Sequence, residues 1–263
     1  MESPSPDFIL IGGQKCGTSS LFFHLKNHPG IYEPDNKEIN YFTDKYARPA
    51  QWYRDYFTSD PDLLNFEATT YYLFHPLAPK RIKQDLPNCK FIVLLRNPVD
   101  RTQSHYHHNI RNDREELPFP EAIKKESERI KGEVERIIKE DHYVSFSHRH
   151  YSYLTRSLYV KSLSNWLEFF PRERFLIIQS EEFFQHPWNV MKSIEKFLGI
   201  KQWTDDFQAT GPTGDYEEMN PEFRKHLSDI TREYNQRLYD LINIDFEWEQ
   251  LNEEKIQQQL REE

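Results

Sequence analysis

Phe8-Ile9-Leu10-Ile11-Gly12-Gly13-Gln14-Lys15-Cys16-Gly17-Thr18-Ser19-Ser20 is the stretch whose reading decides the fold. Residues 7–12 form a short, nearly continuous apolar run ending in glycine, the pattern of a strand buried on both faces of a parallel sheet. From 18 to 27 the spacing changes, and Leu21, Phe22 and Leu25 fall on one helical face. Strand, glycine turn and helix in that order bring backbone N–H groups and a positive helix end to the carboxyl edge of a sheet. Open α/β domains bind ligands there, and anions in particular. Thr18, Ser19 and Ser20 add hydroxyls, and Lys15 adds a positive charge. The loop suits phosphate or sulfate, although a plain glycine turn capped by Thr or Ser has the same spelling.

The lysine is the anomaly. Nucleotide-hydrolase loops read G-x-x-x-x-G-K-[ST]. Gly12 and Gly17 keep that spacing, but Thr18 stands in the lysine position and Lys15 comes before the second glycine. Those enzymes also hold magnesium with an acidic residue at the end of a second strand. The next strong strand here, 90–95, ends at Arg96. A basic residue there suits a second anion rather than a metal. Both differences argue against ATP or GTP hydrolysis, and a P-loop small-molecule kinase stays as the alternative.

Elsewhere the pattern alternates. Residues 63–67 are a weaker strand and 174–179 a third strong one. Helices are expected near 79–86, 97–112, 152–170, 187–198 and 221–242, with a charged, partly exposed helix over 115–141. The polar last dozen residues are expected to fray. The expectation is an α/β fold, a P-loop-like three-layer domain with a central, mostly parallel sheet flanked by helices, as one domain over 1–263. The net charge of -9 argues against non-specific nucleic-acid binding, and an anionic ligand would need a local basic pocket. Two cysteines, Cys16 and Cys89, make no disulfide scaffold. The first residues carry no leader pattern, and the apolar run at 8–11 is too short to span a membrane. A cytoplasmic protein without a membrane span is therefore expected. No Cys or carboxylate spacing supports zinc.

A second element turns the loop into half of a pair. Arg96-Asn97-Pro98-Val99-Asp100-Arg101 is followed by Ser104, eight positions after Arg96. Two helical turns span about seven residues, so the guanidinium fork and the hydroxyl can meet one phosphate. With both elements in order, the chain resembles the sulfotransferases that use 3′-phosphoadenosine 5′-phosphosulfate (PAPS). The loop is similar to their 5′-phosphosulfate loop, and Arg96 through Ser104 to their 3′-phosphate element. Lys37-Glu38-Ile39-Asn40-Tyr41-Phe42, Trp52-Tyr53, Glu67-Ala68-Thr69-Thr70-Tyr71, Arg156-Ser157-Leu158-Tyr159 and residues 235–248 resemble the heparan-sulfate-type and bacterial carbohydrate branch. The likeness covers nearly the whole chain.

The resemblance implies transfer of a sulfuryl group from PAPS to a hydroxyl of a glycan, lipid or small molecule, with PAP (adenosine 3′,5′-bisphosphate) as product and no metal. It implies that Lys15, Cys16, Gly17, Thr18, Ser19, Ser20, Arg96 and Ser104 hold the nucleotide. Lys15 would neutralise the leaving phosphate, and Glu38 would take the acceptor proton. Cys16 would pack inward and offer its backbone N–H. Lys37 would touch the phosphosulfate or the acceptor, or stay solvated. The histidines His105, His107, His108, His142, His148 and His150 supply a rival base, and part of 142–153 would line the acceptor cleft. There are departures. Ala68 stands where these enzymes often carry lysine, Ser157 where glycine is usual, and the late Lys-Gly phosphate loop and late disulfide have no match. Residues 210–215 would form a lid or a plain surface loop. A silent nucleotide-binding protein is a further alternative, and a highly anionic glycan is disfavoured unless a local basic cleft overrules the net charge.

Overall fold

The structure, a computed structural model, describes residues 4–32, 36–203 and 217–262. Five strands, β1 (Phe8–Leu10), β2 (Ile31–Tyr32), β3 (Leu64–Ala68), β4 (Lys90–Leu95) and β5 (Phe175–Gln179), make one sheet in the order β2-β3-β1-β4-β5. Every pairing is parallel. The apolar runs are unbroken because both faces are covered. Phe8, Leu10, Ile92 and Leu94 pack on one side with Leu21, Leu25, Val190 and Ile194. Ile9, Phe91, Val93 and Leu95 pack on the other with Leu163, Trp166, Leu238 and Trp248. The result is the three-layer α/β arrangement.

The helices are α1 (Thr18–Leu25), α2 (Ala50–Arg54), α3 (Ala78–Asp85), α4 (Pro98–Ile110), α5 (Phe119–Arg129), α6 (Glu133–Lys139), α7 (Phe146–His150), α8 (Tyr159–Phe169), α9 (Ser180–Gln185), α10 (Pro187–Leu198), α11 (Pro221–Ile242) and α12 (Trp248–Glu262). Two of them correct the sequence reading. The charged stretch 115–141 is not one helix: it breaks at Gly132, whose φ of 77° caps the start of α6. The tail does not fray. Its polar residues are tied down, with Asn252 buried between Asn97 (3.1 Å) and Arg224 (3.2 Å) and the Lys255 ammonium 2.5 Å from Asp100. Side chains that read as a solvated face cap a buried junction of α4, α11 and α12 instead. No helix among the described residues is long and apolar enough to cross a membrane.

β1 is central, with β3 on one side and β4 on the other. The chain leaves β1 toward β3 and later returns to β4, so the crevice above β1 is where the connections diverge. Gly12 sits at the exit of β1. A Cβ on it would lie 2.1 Å from the Leu94 amide nitrogen, so only glycine lets β1 and β4 approach there.

Candidate active site

The loop turns within a few residues. Gly13 N–H donates to the Leu94 carbonyl (2.9 Å), then Lys15 (φ 70°) and Gly17 (φ 86°) both adopt left-handed backbone. The first bond of α1 runs from Leu21 N–H to the Gly17 carbonyl (3.2 Å), and no side chain caps this end. Helix-start N–H groups ahead of that bond have no partner inside the helix, which leaves a ready anion seat. Cys16 packs inward, as expected, while its N–H is engaged within the loop. Its side chain packs behind the loop against Tyr159 Oη (3.7 Å), and its N–H is donated to the Gly13 carbonyl (3.1 Å) rather than left for a ligand.

Cations crowd this seat. The Lys37 ammonium reaches Ser19 Oγ (2.9 Å) and Thr18 Oγ1 (3.4 Å), so it belongs to the loop rather than to solvent. Burial, with Arg111 and Arg96 nearby, pushes the Lys15 ammonium below its usual range, and burial does the same to Lys37. Arg96 follows β4 directly, and its Nη1 donates to the Lys15 carbonyl (3.3 Å). Ser104 lies two turns down α4, buried, and its hydroxyl has no side-chain or backbone partner among the described residues. Nearby Ser157, which replaces a usual glycine, accepts from Arg101 Nε (2.5 Å) and shares a bond with Thr102 (2.8 Å). The extra hydroxyl is absorbed by the buried Arg101.

Glu38 approaches from the segment after β2. Its carboxylate accepts from Thr70 N–H (3.2 Å) and Thr70 Oγ1 (2.9 Å), and its own N–H donates to the Ala68 carbonyl (2.8 Å). Glu38 (φ 60°) and Asn40 (φ 58°) are both left-handed, so this segment holds strain that its surroundings must fix. Part of that fixing comes from Arg156, which is buried. It donates to Gln14 Oε1 (2.9 Å) and to the Thr70 carbonyl (3.1 Å), joining the loop to the residue that holds Glu38. Burial, and then the Arg101 charge, bring its guanidinium down to about 9. The sequence offered Arg156 only as part of a family-like stretch, because its partners lie 142 and 86 positions away.

Beneath Glu38 lies Glu67, fully buried on β3. It accepts from Tyr53 Oη (2.5 Å), Thr69 Oγ1 (3.0 Å) and Tyr72 Oη (3.5 Å). Those hydroxyls in turn accept from the strained segment: Asn40 N–H reaches Thr69 (3.4 Å) and Phe42 N–H reaches Tyr72 (3.2 Å). Burial outweighs the three hydroxyl bonds and raises the carboxyl from 4.5 to about 7. An acid raised by folding is more protonated in the native chain, so stability is greatest below the unfolded value and is lost as pH rises to the folded one. The shift corresponds to about 3 kcal/mol lost between pH ~4.5 and ~7. Urea unfolding at steps across that window should show the wild type losing this much stability relative to Glu67→Gln, the difference removing the opposite slope that the depressed His108, His148 and His150 give both proteins. An equal slope in both would refute the buried, protonated glutamate.

These groups face one cavity of about 960 Å³. Lys15, Gly17, Thr18, Ser19, Ser20, Glu38, Arg96 and Ser104 all line it, as does Lys37. Seven Lys and Arg side chains face it against one carboxylate, Glu38, so a basic pocket exists inside a chain of net charge -9. The histidines separate. His105 is buried away from the cavity, and His148 is buried with Nδ1 2.8 Å from Tyr71 Oη. His108 and His150 line the cavity, and burial, then Lys15 for the first and Arg114 for the second, lower both to about 4. Of 142–153, Val144, Ser145, Phe146, Arg149 and His150 reach the wall. Residues 210–215 lie outside the described residues.

A sulfotransferase domain model matches residues 5–210. The chain belongs to the sulfotransferase domain family. It is similar to a solved sulfotransferase of Alicyclobacillus acidocaldarius, at 32% identity and a TM-score of 0.75, over 93% of this chain and 98% of that one. It is 29% identical to membrane-associated sulfotransferase kil1 of Dictyostelium discoideum, over 93% of this chain and 66% of that protein. It is 30% identical to human bifunctional heparan sulfate N-deacetylase/N-sulfotransferase 3, over 74% of this chain but 22% of that protein. The chain thus spans less than two thirds of these curated relatives. Membership of the sulfotransferase family places it among transferase enzymes.

Proposed function

We propose that this sulfotransferase domain, spanning 1–263, moves a sulfuryl group from PAPS to a hydroxyl of its acceptor. The observation that carries this reading is that two anion seats, the uncapped start of α1 with Lys15 and the Arg96–Ser104 pair, line one cavity together with the Glu38 carboxylate. The 5′-phosphosulfate fits the first seat and the 3′-phosphate the second. Glu38 takes the proton of the acceptor hydroxyl. The acceptor oxygen forms a bond to sulfur while the bridging sulfur–oxygen bond breaks, and its electron pair passes to the 5′-phosphate of PAP. Lys15 and the helix-start N–H groups stabilise that developing charge. No step needs a metal. Two buried free cysteines support a reducing, cytoplasmic setting for this activity.

Calorimetry separates this reading from a kinase. PAP should bind without added metal, and ATP with magnesium should bind far more weakly; the reverse order would favour the kinase. A silent nucleotide-binding protein would bind PAP yet turn over no acceptor. Binding should also take up a proton at alkaline pH. The Lys15 ammonium is held low by burial and neighbouring cations, and an anion raises it again, so PAP affinity falls as pH rises through the depressed value. Heats measured in two buffers of different ionisation enthalpy read that uptake directly.

A further inference from the structure

We propose that the acceptor is an acidic amphiphile, a hydroxyl compound carrying one anionic group and an apolar portion, with Arg114 and Arg111 holding the anion and Val144 and Phe146 the apolar part. This rests on the sulfuryl-transfer reading and names its acceptor.

The cavity holds more positive charge than the donor uses. Lys15, Lys37 and Arg96 belong to the donor seats. Arg156 is spent on Gln14, Thr70 and the Arg149 carbonyl, and Arg149 pairs with Asp44 and donates to Asn40 Oδ1 (3.0 Å). Arg111, exposed, and Arg114, half-buried, remain, and Arg111 stands near enough to Lys15 that the anion seat borders the donor seat. Both line the cavity, and neither guanidinium has a carboxylate or other hydrogen-bond partner among the described residues. They lie at the end of α4, near enough to His108 to depress its proton affinity together with Lys15. Two unpaired guanidiniums on a cavity wall are a seat for a carboxylate, phosphate or sulfate.

The same cavity is also lined by exposed apolar side chains. Val144 and Phe146 are 49% and 53% exposed, and both line the cavity. Their exposure is built rather than frayed. Ser145 between them is buried, accepts His148 N–H (2.9 Å) at the start of α7, and donates to Glu133. With Ser145 turned inward and pinned at both ends, its two neighbours face outward. Phe146 packs at a tilt against His150 with ring centroids 4.5 Å apart, and His150 feels the Arg114 charge. His150, lowered to about 4, is a neutral ring at physiological pH and continues the apolar strip toward the arginines. Phe23 of α1, 57% exposed, lines the same cavity. A polyanionic glycan would use the arginines but leave three exposed apolar side chains against water. A neutral alcohol would leave two guanidiniums without a counter-charge.

The test is sulfuryl transfer from PAPS at neutral pH to 3-hydroxydodecanoate, ω-hydroxydodecanoate, dodecanediol and a chondroitin tetrasaccharide, in the wild type and in Arg114→Ala. At least one hydroxy acid should exceed the diol about tenfold in kcat/KM, the worth of one charge-assisted bond, and also exceed the tetrasaccharide. Arg114→Ala should reduce the acid-to-diol ratio by about the same factor. A ratio is insensitive to a general loss of folded enzyme. The proposal falls if the diol or the tetrasaccharide is the best acceptor, if no hydroxy acid is sulfated while PAP still binds, or if the ratio is unchanged in Arg114→Ala. Absence of both PAP binding and turnover would overturn the underlying sulfuryl-transfer reading as well.

Discussion

Lys15→Ala should lower kcat for sulfuryl transfer by about 10² to 10³, the usual effect of removing one preorganised group aimed at developing charge. The substitution is clean for a structural reason. Lys15 already sits at φ 70°, so alanine meets the same backbone strain and the turn has no new reason to open. Among the described residues the ammonium makes no bond that anchors the fold, and burial beside Arg111 and Arg96 costs it part of its proton affinity. Its removal should therefore leave the urea midpoint unchanged or slightly higher while activity collapses. A stable variant with a lost kcat marks a residue kept for the transition state at some cost to the ground state. Lys15→Arg should recover only part of the rate, because a planar fork cannot place its charge where a compact ammonium does. Turnover by Lys15→Ala at the wild-type rate would refute this assignment.

What was legible in the sequence was local. β1, the glycine turn and α1 form one continuous stretch whose apolar period changes from two-faced strand to one-faced helix, and β4 with Arg96 and α4 repeats the design. Each reads without knowledge of the rest of the chain. The missed features are long-range and polar. Nothing near Asn252 announces that Asn97 and Arg224 bury it, so a helix that closes the core reads as a tail. For Lys37 the sequence left contact with the phosphosulfate or acceptor and plain solvation both open, because its partners, Ser19 and Thr18, lie on another element. Gly132 is the opposite case: a local signal was present, because a glycine between two charged runs offers the left-handed turn from which α6 restarts. Glu38 was visible only through the family-like stretch around it. Its position depends on two left-handed residues held by Thr69, Thr70 and Tyr72, and no periodicity encodes that.

That support makes Glu38→Gln the sharpest test of the proposed base. Glutamine keeps a carbonyl oxygen to accept from Thr70 N–H and Oγ1, so the strained segment keeps its anchors. It cannot take a proton, and kcat should fall by about 10² to 10⁴, the range for a positioned general base. His108 is the competitor because it lines the same cavity, so His108→Gln is the necessary comparison. Burial and the Lys15 charge disfavour the protonated ring that a base must become, so its loss should cost far less. A histidine variant that loses activity while Glu38→Gln keeps it would move the base to the imidazole. A second readout is independent of catalysis. The Glu38 charge helps raise the Glu67 carboxyl beneath it, so neutralising Glu38 lowers the folded pKa of Glu67. The stability lost with rising pH should then be smaller and end at a lower pH in Glu38→Gln than in the wild type. A shift in that window together with a collapsed kcat would show a base and a buried carboxyl sharing one electrostatic environment, and would separate loss of a proton acceptor from loss of the fold.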